Sequence, residues 1–270
     1  MTDKYAVIGH PIAHSKSPLI HAAFAKQTQQ VMSYEAILAP LDGFAVTVQA
    51  LIEQGYKGVN VTVPFKFAAF ELANQHSERA IAAGAANTLT FSPQGIVADN
   101  TDGAGIVRDI EHNLGHRIAG KRVLLIGAGG AAEGVLQPLL ETKPGTLVIS
   151  NRTVDKAQRM ANKINNPLTH VQACTFEALQ GQAFDIIINA TSAGLSDSAL
   201  AIPNSIFAKN CLAYDMMYGR ETPFMRQAKN NGAQVADGLG MLVEQAAEAF
   251  TVWRSVRPET QAVMQDIRKL

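Results

Sequence analysis

Three short polar clusters interrupt otherwise apolar strand ends in the first 102 residues, and a glycine turn follows them. In GHPIAHSKSP, Ser15 and Ser17 alternate. An extended segment would put both hydroxyls on one side, where they could grip one ligand group such as a carboxylate. Ser17 before Pro18 also reads as an N-cap followed by a first-turn proline, and on that motif alone the cap is the stronger reading. NVTVPFK sets Asn60, Thr62 and Lys66 on and just past a buried strand. A lysine there has three freely orienting N–H groups and could deliver a proton to a carbonyl being reduced, although a single lysine is more often just solvated. DNTD (99–102), with Asn87 upstream, offers an aspartate able to pair with Lys66 and position a substrate hydroxyl. It could equally be a turn that caps the next helix.

The fourth feature runs VLLIGAGGAAEGVLQPLLETKPGTLVISNRT, residues 123–153. An apolar strand empties into Gly127, Gly129 and Gly130, a helix-like segment follows, and then comes a second apolar strand, residues 146–149. Glycines let the backbone turn tightly and approach a pyrophosphate, while the helix N-terminus supplies free N–H donors. Ala132 stands where a third glycine is commonest. An NAD site usually carries Asp or Glu after the second strand, for the ribose 2′-hydroxyl. This chain has Asn151, Arg152 and Thr153 instead. An acid would repel a 2′-phosphate, whereas arginine presents a planar fork of donors to it. The cofactor expected is NADP.

The elements needed to position these groups alternate throughout. Strands are expected at residues 4–9, 34–39, 58–63 and 87–91, with a hairpin return at 96–98. Helices are expected at 17–29, 44–54, 67–75, 77–83 and 103–114. Beyond the strand at 122–126, the pattern predicts strands at 146–149, 168–173, 186–189 and 212–215. Helices follow at 155–164, 222–231, 240–254 and 258–268. The fold class is therefore α/β, with two domains. Residues 1–101, completed by the C-terminal helix 240–270, form a substrate-binding domain; residues 102–239 form a Rossmann-type NADP-binding domain, with a cleft between the two.

Composition excludes other classes. The chain has 270 residues, with 23 basic and 23 acidic side chains, so neither nucleic acid nor an anionic membrane is indicated as a partner. No apolar run is long enough to span a bilayer, and the start MTDKYAVIGH lacks the features of a signal peptide. Cys174 and Cys211 have no partner at metal-ligand spacing, nor do the seven histidines, so no metal is expected and the thiols read as free, in a reducing cytoplasm.

Taken together, GHPIAHSKSPLIH, NVTVPFK, GAANT, DNTDG, GAGGAAEG, NRT, NATSAG, YDMMY and ADGLGMLVEQAA resemble the motif series of shikimate dehydrogenases, from residue 5 to about 250. The resemblance implies reversible NADPH-dependent reduction of 3-dehydroshikimate to shikimate, on the route to chorismate and the aromatic amino acids. It implies Lys66 and Asp102 as the acid–base pair. Ser15 and Ser17 would hold the substrate carboxylate, which displaces the cap reading for Ser15 at least. Asn60, Thr62, Asn87, Tyr218 and Gln245 would surround the ring hydroxyls and the reacting carbon. Gly127, Ala128, Gly129, Gly130 and Ala131 would carry the pyrophosphate, and Asn151, Arg152, Thr153 and Lys156 the 2′-phosphate and adenine. Many relatives have arginine at the place of Lys156, so the NADP preference rests more on Arg152. Thr191, Ser192, Met216, Gly238 and Met241 would lie near the nicotinamide, though a methionine is more often a core filler. A related subgroup accepts quinate and NAD, typically with an acid at the position of Asn151. A non-catalytic NADPH sensor is the other alternative, against which Lys66 and Asp102 are both present. Among such enzymes both monomers and homodimers occur.

Overall fold

Runs of β-branched and aliphatic residues that are buried on both faces favour parallel strands, and both sheets of the protein are built on them. The computed structural model describes residues 2–164 and 167–270. It divides into two compact units: the residues up to Ile106 together with Leu242–Leu270, and Val107–Met241.

In the first unit the elements are β1 (Asp3–Gly9), α1 (Ser17–Gln27), β2 (Met32–Leu38), α2 (Phe44–Glu53), β3 (Tyr56–Val61), α3 (Lys66–Leu72), β4 (Gln75–His76), α4 (Glu78–Ala83), β5 (Thr88–Ser92) and β6 (Gly95–Asp99). The helix α5 (Asp102–Arg108) begins in this unit. The sheet order is β2-β1-β3-β5-β6-β4, with β1, β2 and β3 parallel and β5 antiparallel to both β3 and β6. One core joins Ile8, Val59, Val61 and Leu89 of the sheet to Phe44, Val48 and Leu51 of α2 and to Phe65. Each such fully buried side chain contributes about 1.5–3 kcal/mol. The C-terminal segment completes the unit. Arg254 pairs with Asp3 at 2.5 Å, and the Trp253 indole N–H donates to the Leu89 carbonyl at 3.3 Å.

The second unit holds β7 (Arg122–Ile126), α6 (Gly130–Glu141), β8 (Thr146–Ser150), α7 (Val154–Asn162), β9 (His170–Cys174), β10 (Phe184–Asn189), β11 (Phe207–Asp215), α8 (Pro223–Asn230) and β12 (Gln234–Ala236). All pairings in its sheet, β12-β11-β10-β7-β8-β9, are parallel. Val123, Leu124, Leu125 and Ile126 have no exposed surface, which is why VLLI shows no alternation. The chain ends with α9 (Leu239–Arg254) and α10 (Gln261–Arg268).

Several elements differ from expectation. The helix expected over 103–114 is α-helical only to Arg108 and continues as a π turn over Asp109–Asn113, where the Leu114 N–H bonds five residues back to Asp109. The helix expected over 67–75 stops at Leu72, and Gln75 and His76 pair with β6 instead. The last helix begins at Gln261, not 258. β12 has no counterpart in the sequence reading, since three residues carry no period. Among the described residues, no helix is long and apolar enough to cross a membrane.

Candidate functional site

The first unit gathers a connected polar network at the ends of β3, β5 and β6. Lys66 opens α3 and Asp102 opens α5, and Lys66 Nζ donates to Asp102 Oδ2 at 2.5 Å. Their side chains are 17% and 6% exposed, so the pair is shielded, the lysine less completely than the aspartate. A charge-assisted bond of this kind is stronger than a neutral one. DNTD makes a local turn and also meets Lys66. The Asp102 backbone N–H donates to Asn100 Oδ1 at 3.2 Å, a local turn, while the Asp102 carboxylate faces Lys66.

Asn87, just before β5, ties the network together. Its Nδ2 donates to Asp102 Oδ1 at 2.8 Å, to Thr101 Oγ1 at 2.9 Å and to Gln245 Oε1 on α9 at 3.2 Å. Its Oδ1 accepts from the Thr101 N–H at 2.9 Å. Asn60 on β3 donates to the Asn87 carbonyl and to Thr88 Oγ1, and its Oδ1 accepts from the Tyr34 hydroxyl at 2.7 Å. Tyr34 also has Ser17 as a side-chain partner, which opposes the rise that burial imposes on its phenol. Ser17 therefore joins the network through Tyr34, and Ser15 accepts from the Ser17 backbone N–H at 3.3 Å. Ser17 is not the cap of α1: Lys16 holds that position, with no side-chain cap, and Ser17 lies inside the first turn. Thr62, half-buried just past β3, has its methyl so close to Gly9 that a Cβ there would come within 2.5 Å. Tyr34 and Thr101 were missed from sequence. Thr101 stood inside DNTD, a usable signal, whereas nothing local marks a tyrosine on β2 as the partner of an asparagine on β3.

The second unit carries the glycine turn. Gly127 follows β7 with φ of +116°, a left-handed conformation that favours glycine, and a Cβ would sit 3.2 Å from the Ala190 carbonyl. Gly129 caps α6, which leaves the first N–H groups of Gly130, Ala131 and Ala132 available to an anion. Ala132 is fully buried, so a small residue suits the packing of helix on strand. At the end of β8, Asn151 Nδ2 donates to the Thr153 carbonyl at 2.9 Å, and Thr153 caps α7. Arg152 and Lys156 are exposed, and neither forms an ion pair among the described residues. Thr191 and Ser192 follow β10, Met216 and Tyr218 follow β11, and Gly238 and Met241 flank the start of α9. The Gly238 N–H donates to the Met217 carbonyl at 2.9 Å, which brings Gly238 against the Met216 turn. Ala128 lies between Gly127 and the α6 cap. Among the described residues, no cluster has the makings of a metal site. Cys174 and Cys211 are free, and burial pushes the Cys211 thiol up to about 11.

Residues 7–89 match the shikimate dehydrogenase substrate binding domain, residues 109–196 the shikimate/quinate 5-dehydrogenase family, and residues 238–268 the shikimate 5′-dehydrogenase C-terminal domain. The shikimate dehydrogenase (NADP(+)) of Methylobacillus flagellatus is 62% identical, over 98% of this chain and 99% of that protein. The enzyme of the same name from Aromatoleum aromaticum is 56% identical, over 99% and 97%. The crystal structure of an Ael1 enzyme from Pseudomonas putida superposes with a TM-score of 0.93 at 50% identity, covering 98% of each chain. The shikimate 5-dehydrogenase of Thermus thermophilus, solved in complex with NADP(H) and shikimate, gives a TM-score of 0.88 at 30% identity, covering 99% of each chain. With all three regions matched and identity sustained from end to end, the chain belongs to the shikimate dehydrogenase family.

Proposed function

We propose that this chain reduces 3-dehydroshikimate to shikimate, reversibly, with NADPH. The observation that carries the reading is the shielded Lys66–Asp102 pair at 2.5 Å, held on its far side by Asn87. The left-handed Gly127, the open N-terminus of α6 and the cations at 152 and 156, without an ion pair among the described residues, suit NADP, with an uncharged Asn151 where an NAD site would carry an acid. When bound, NADPH supplies the hydride. Lys66, as ammonium, donates a proton to the carbonyl oxygen being reduced. Asp102 holds that ammonium in place, and it accepts from the neighbouring ring hydroxyl. Ser15 and Ser17 hold the carboxylate. Both N–H groups of Asn60 are already used, so Asn60 receives a hydroxyl proton on Oδ1 rather than donating one. Asn87, whose amide is similarly engaged, works through Asp102 and Gln245. Thr62 and Tyr218 complete the ring contacts. Gly127, Ala128, Gly129, Gly130 and Ala131 carry the pyrophosphate, Asn151, Arg152, Thr153 and Lys156 the 2′-phosphate and adenine, and Thr191, Ser192, Met216, Gly238 and Met241 the nicotinamide half. The same reading places the protein in the cytoplasm, on the route to chorismate and the aromatic amino acids. The test is absorbance of the reduced nicotinamide with shikimate or quinate, each with NADP or NAD. Turnover confined to shikimate with NADP is expected. Comparable rates with quinate or NAD would move the chain to the dual-substrate branch, and no turnover in any pairing would leave a nucleotide-binding protein without catalysis.

A further inference from the structure

Asp215 closes β11 and is fully buried, opposite Asn189 at the end of β10 in the parallel register. Three donors converge on its carboxylate. Met217 N–H donates to Oδ1 at 3.0 Å, while Thr222 Oγ1 at 2.5 Å and Asn189 Nδ2 at 3.2 Å donate to Oδ2. Asn189, 1% exposed, passes the connection on, since its Oδ1 accepts from the Thr191 N–H at 3.1 Å and from Thr191 Oγ1 at 2.8 Å. Its backbone carbonyl accepts from Met216 N–H at 3.0 Å. The Met217 carbonyl in turn accepts from Gly238 N–H at 2.9 Å, and a Cβ on Gly238 would come within 2.2 Å of the Met216 carbonyl oxygen. Thr191 and Gly238 are therefore linked to one buried carboxylate through Asn189 and Met217, and Met216, between Asp215 and Met217, is held to the Asn189 backbone, although the three lie on different connections. None of these bonds uses the glycine turn or the 151–156 segment.

We propose that Asp215, acting through Asn189 and the Met217 amide, is the positioning residue for the nicotinamide half of the cofactor site. This rests on the assignment of Thr191, Met216 and Gly238 made above. The carboxylate suits the task because it accepts on both oxygens and donates nothing. An amide in its place must turn its N–H2 either toward the Met217 N–H or toward Thr222 and Asn189, and each choice leaves a buried donor unmatched.

Asp215→Asn in the full-length protein tests this, by direct titration with NADP and with adenosine 2′,5′-bisphosphate, which lacks the nicotinamide half. NADP affinity is expected to fall about tenfold or more while the bisphosphate binds within twofold of wild type, and kcat with shikimate falls as well. Asn189→Ala breaks the link to Thr191 while leaving the Thr222 and Met217 bonds, and it should give the same split if Asp215→Asn does not fold. Equal weakening of both ligands would reduce Asp215 to a structural role, and unchanged NADP affinity would overturn the proposal. Titration does not require turnover, so wild-type protein inactive on shikimate would refute the assigned reaction separately from this inference.

Discussion

Lys66 and Asp102 stand 36 residues apart in the chain, yet each opens a helix, and that placement brings an ammonium against a carboxylate. Lys66→Met removes the donor and keeps the stem. Under the proposed mechanism kcat falls by about 10²–10⁴-fold with KM for shikimate changed far less; steady-state kinetics with unchanged kcat would remove Lys66 from the proton transfer. His21 supplies a prediction of another kind. It is fully buried, stacked on Tyr34 with ring centroids 4.0 Å apart, and neither ring nitrogen has a hydrogen-bond partner among the described residues. Burial pulls its pKa from 6.5 to about 3, against a smaller opposing influence from Asn60. Below 6.5 the unfolded chain gains a proton that the folded imidazole refuses. The stability His21 confers is therefore complete above 6.5 and drains away as pH falls toward about 3, at roughly 1.4 kcal/mol per pH unit. Urea unfolding of His21→Phe between pH 7 and 5 should show a shallower decline than wild type, and equal slopes would mean that the buried imidazole is not responsible. Of the residues involved, Lys66, Asp102 and Asn87 were legible as motif positions. His21 and Tyr34 were not, because what marks them is a stack between a helix and a strand.

At the level of elements, the parallel strands were the most legible, since VLLI and IIIN admit no exposed face. The π turn after α5 was hidden because the helical period continues through it, and β12 because three residues state no period. Ser17 misled for a related reason. A serine before proline satisfies the local cap rule, but Lys16 takes the cap position and Ser17, already inside α1, has Tyr34 as its side-chain partner. The β7–α6 connection offers a direct test of what its glycine does. Gly127→Ala forces a side chain into φ of +116° beside the Ala190 carbonyl, a strain of about 1–3 kcal/mol. The expected result is a rise in KM for NADP of about tenfold, with shikimate affinity in the absence of cofactor retained. An unchanged KM would show that the turn is not a phosphate cradle.

Across the whole molecule, the first unit depends on residues from both ends of the chain. Arg79 on α4 grips Asp99 at 2.7 Å and Glu248 on α9 at 2.7 Å, while Arg257 binds Glu248 at 2.6 Å and the buried Glu244 at 2.8 Å. Burial alone would raise the Asp99 carboxyl. The hydrogen bonds from Arg79 and Ser77, with the charge of Arg79, more than reverse this and hold it below its ordinary 3.8. Its contribution is therefore present above 3.8 and is lost as pH falls through the lower folded value. Arg79→Gln should cost about 1–3 kcal/mol at neutral pH and shift acid unfolding to higher pH; an unmoved acid midpoint, followed by circular dichroism, would mean that the cluster is ornamental to stability.

Val107–Met241 is contiguous, so a growing chain holds all of it before Phe250, Trp253 and Arg254 exist. Domains fold as units while the chain is made, so the nucleotide-binding half can acquire its structure first although it is encoded second. The N-terminal sheet keeps the surfaces around Leu89 and Asp3 uncovered until Trp253 and Arg254 have left the ribosome. A released fragment 1–241 is thus expected to yield a protease-resistant 107–241 core beside a digestible N-terminal segment, and resistance across the N-terminal segment as well would show that it folds without its final helices.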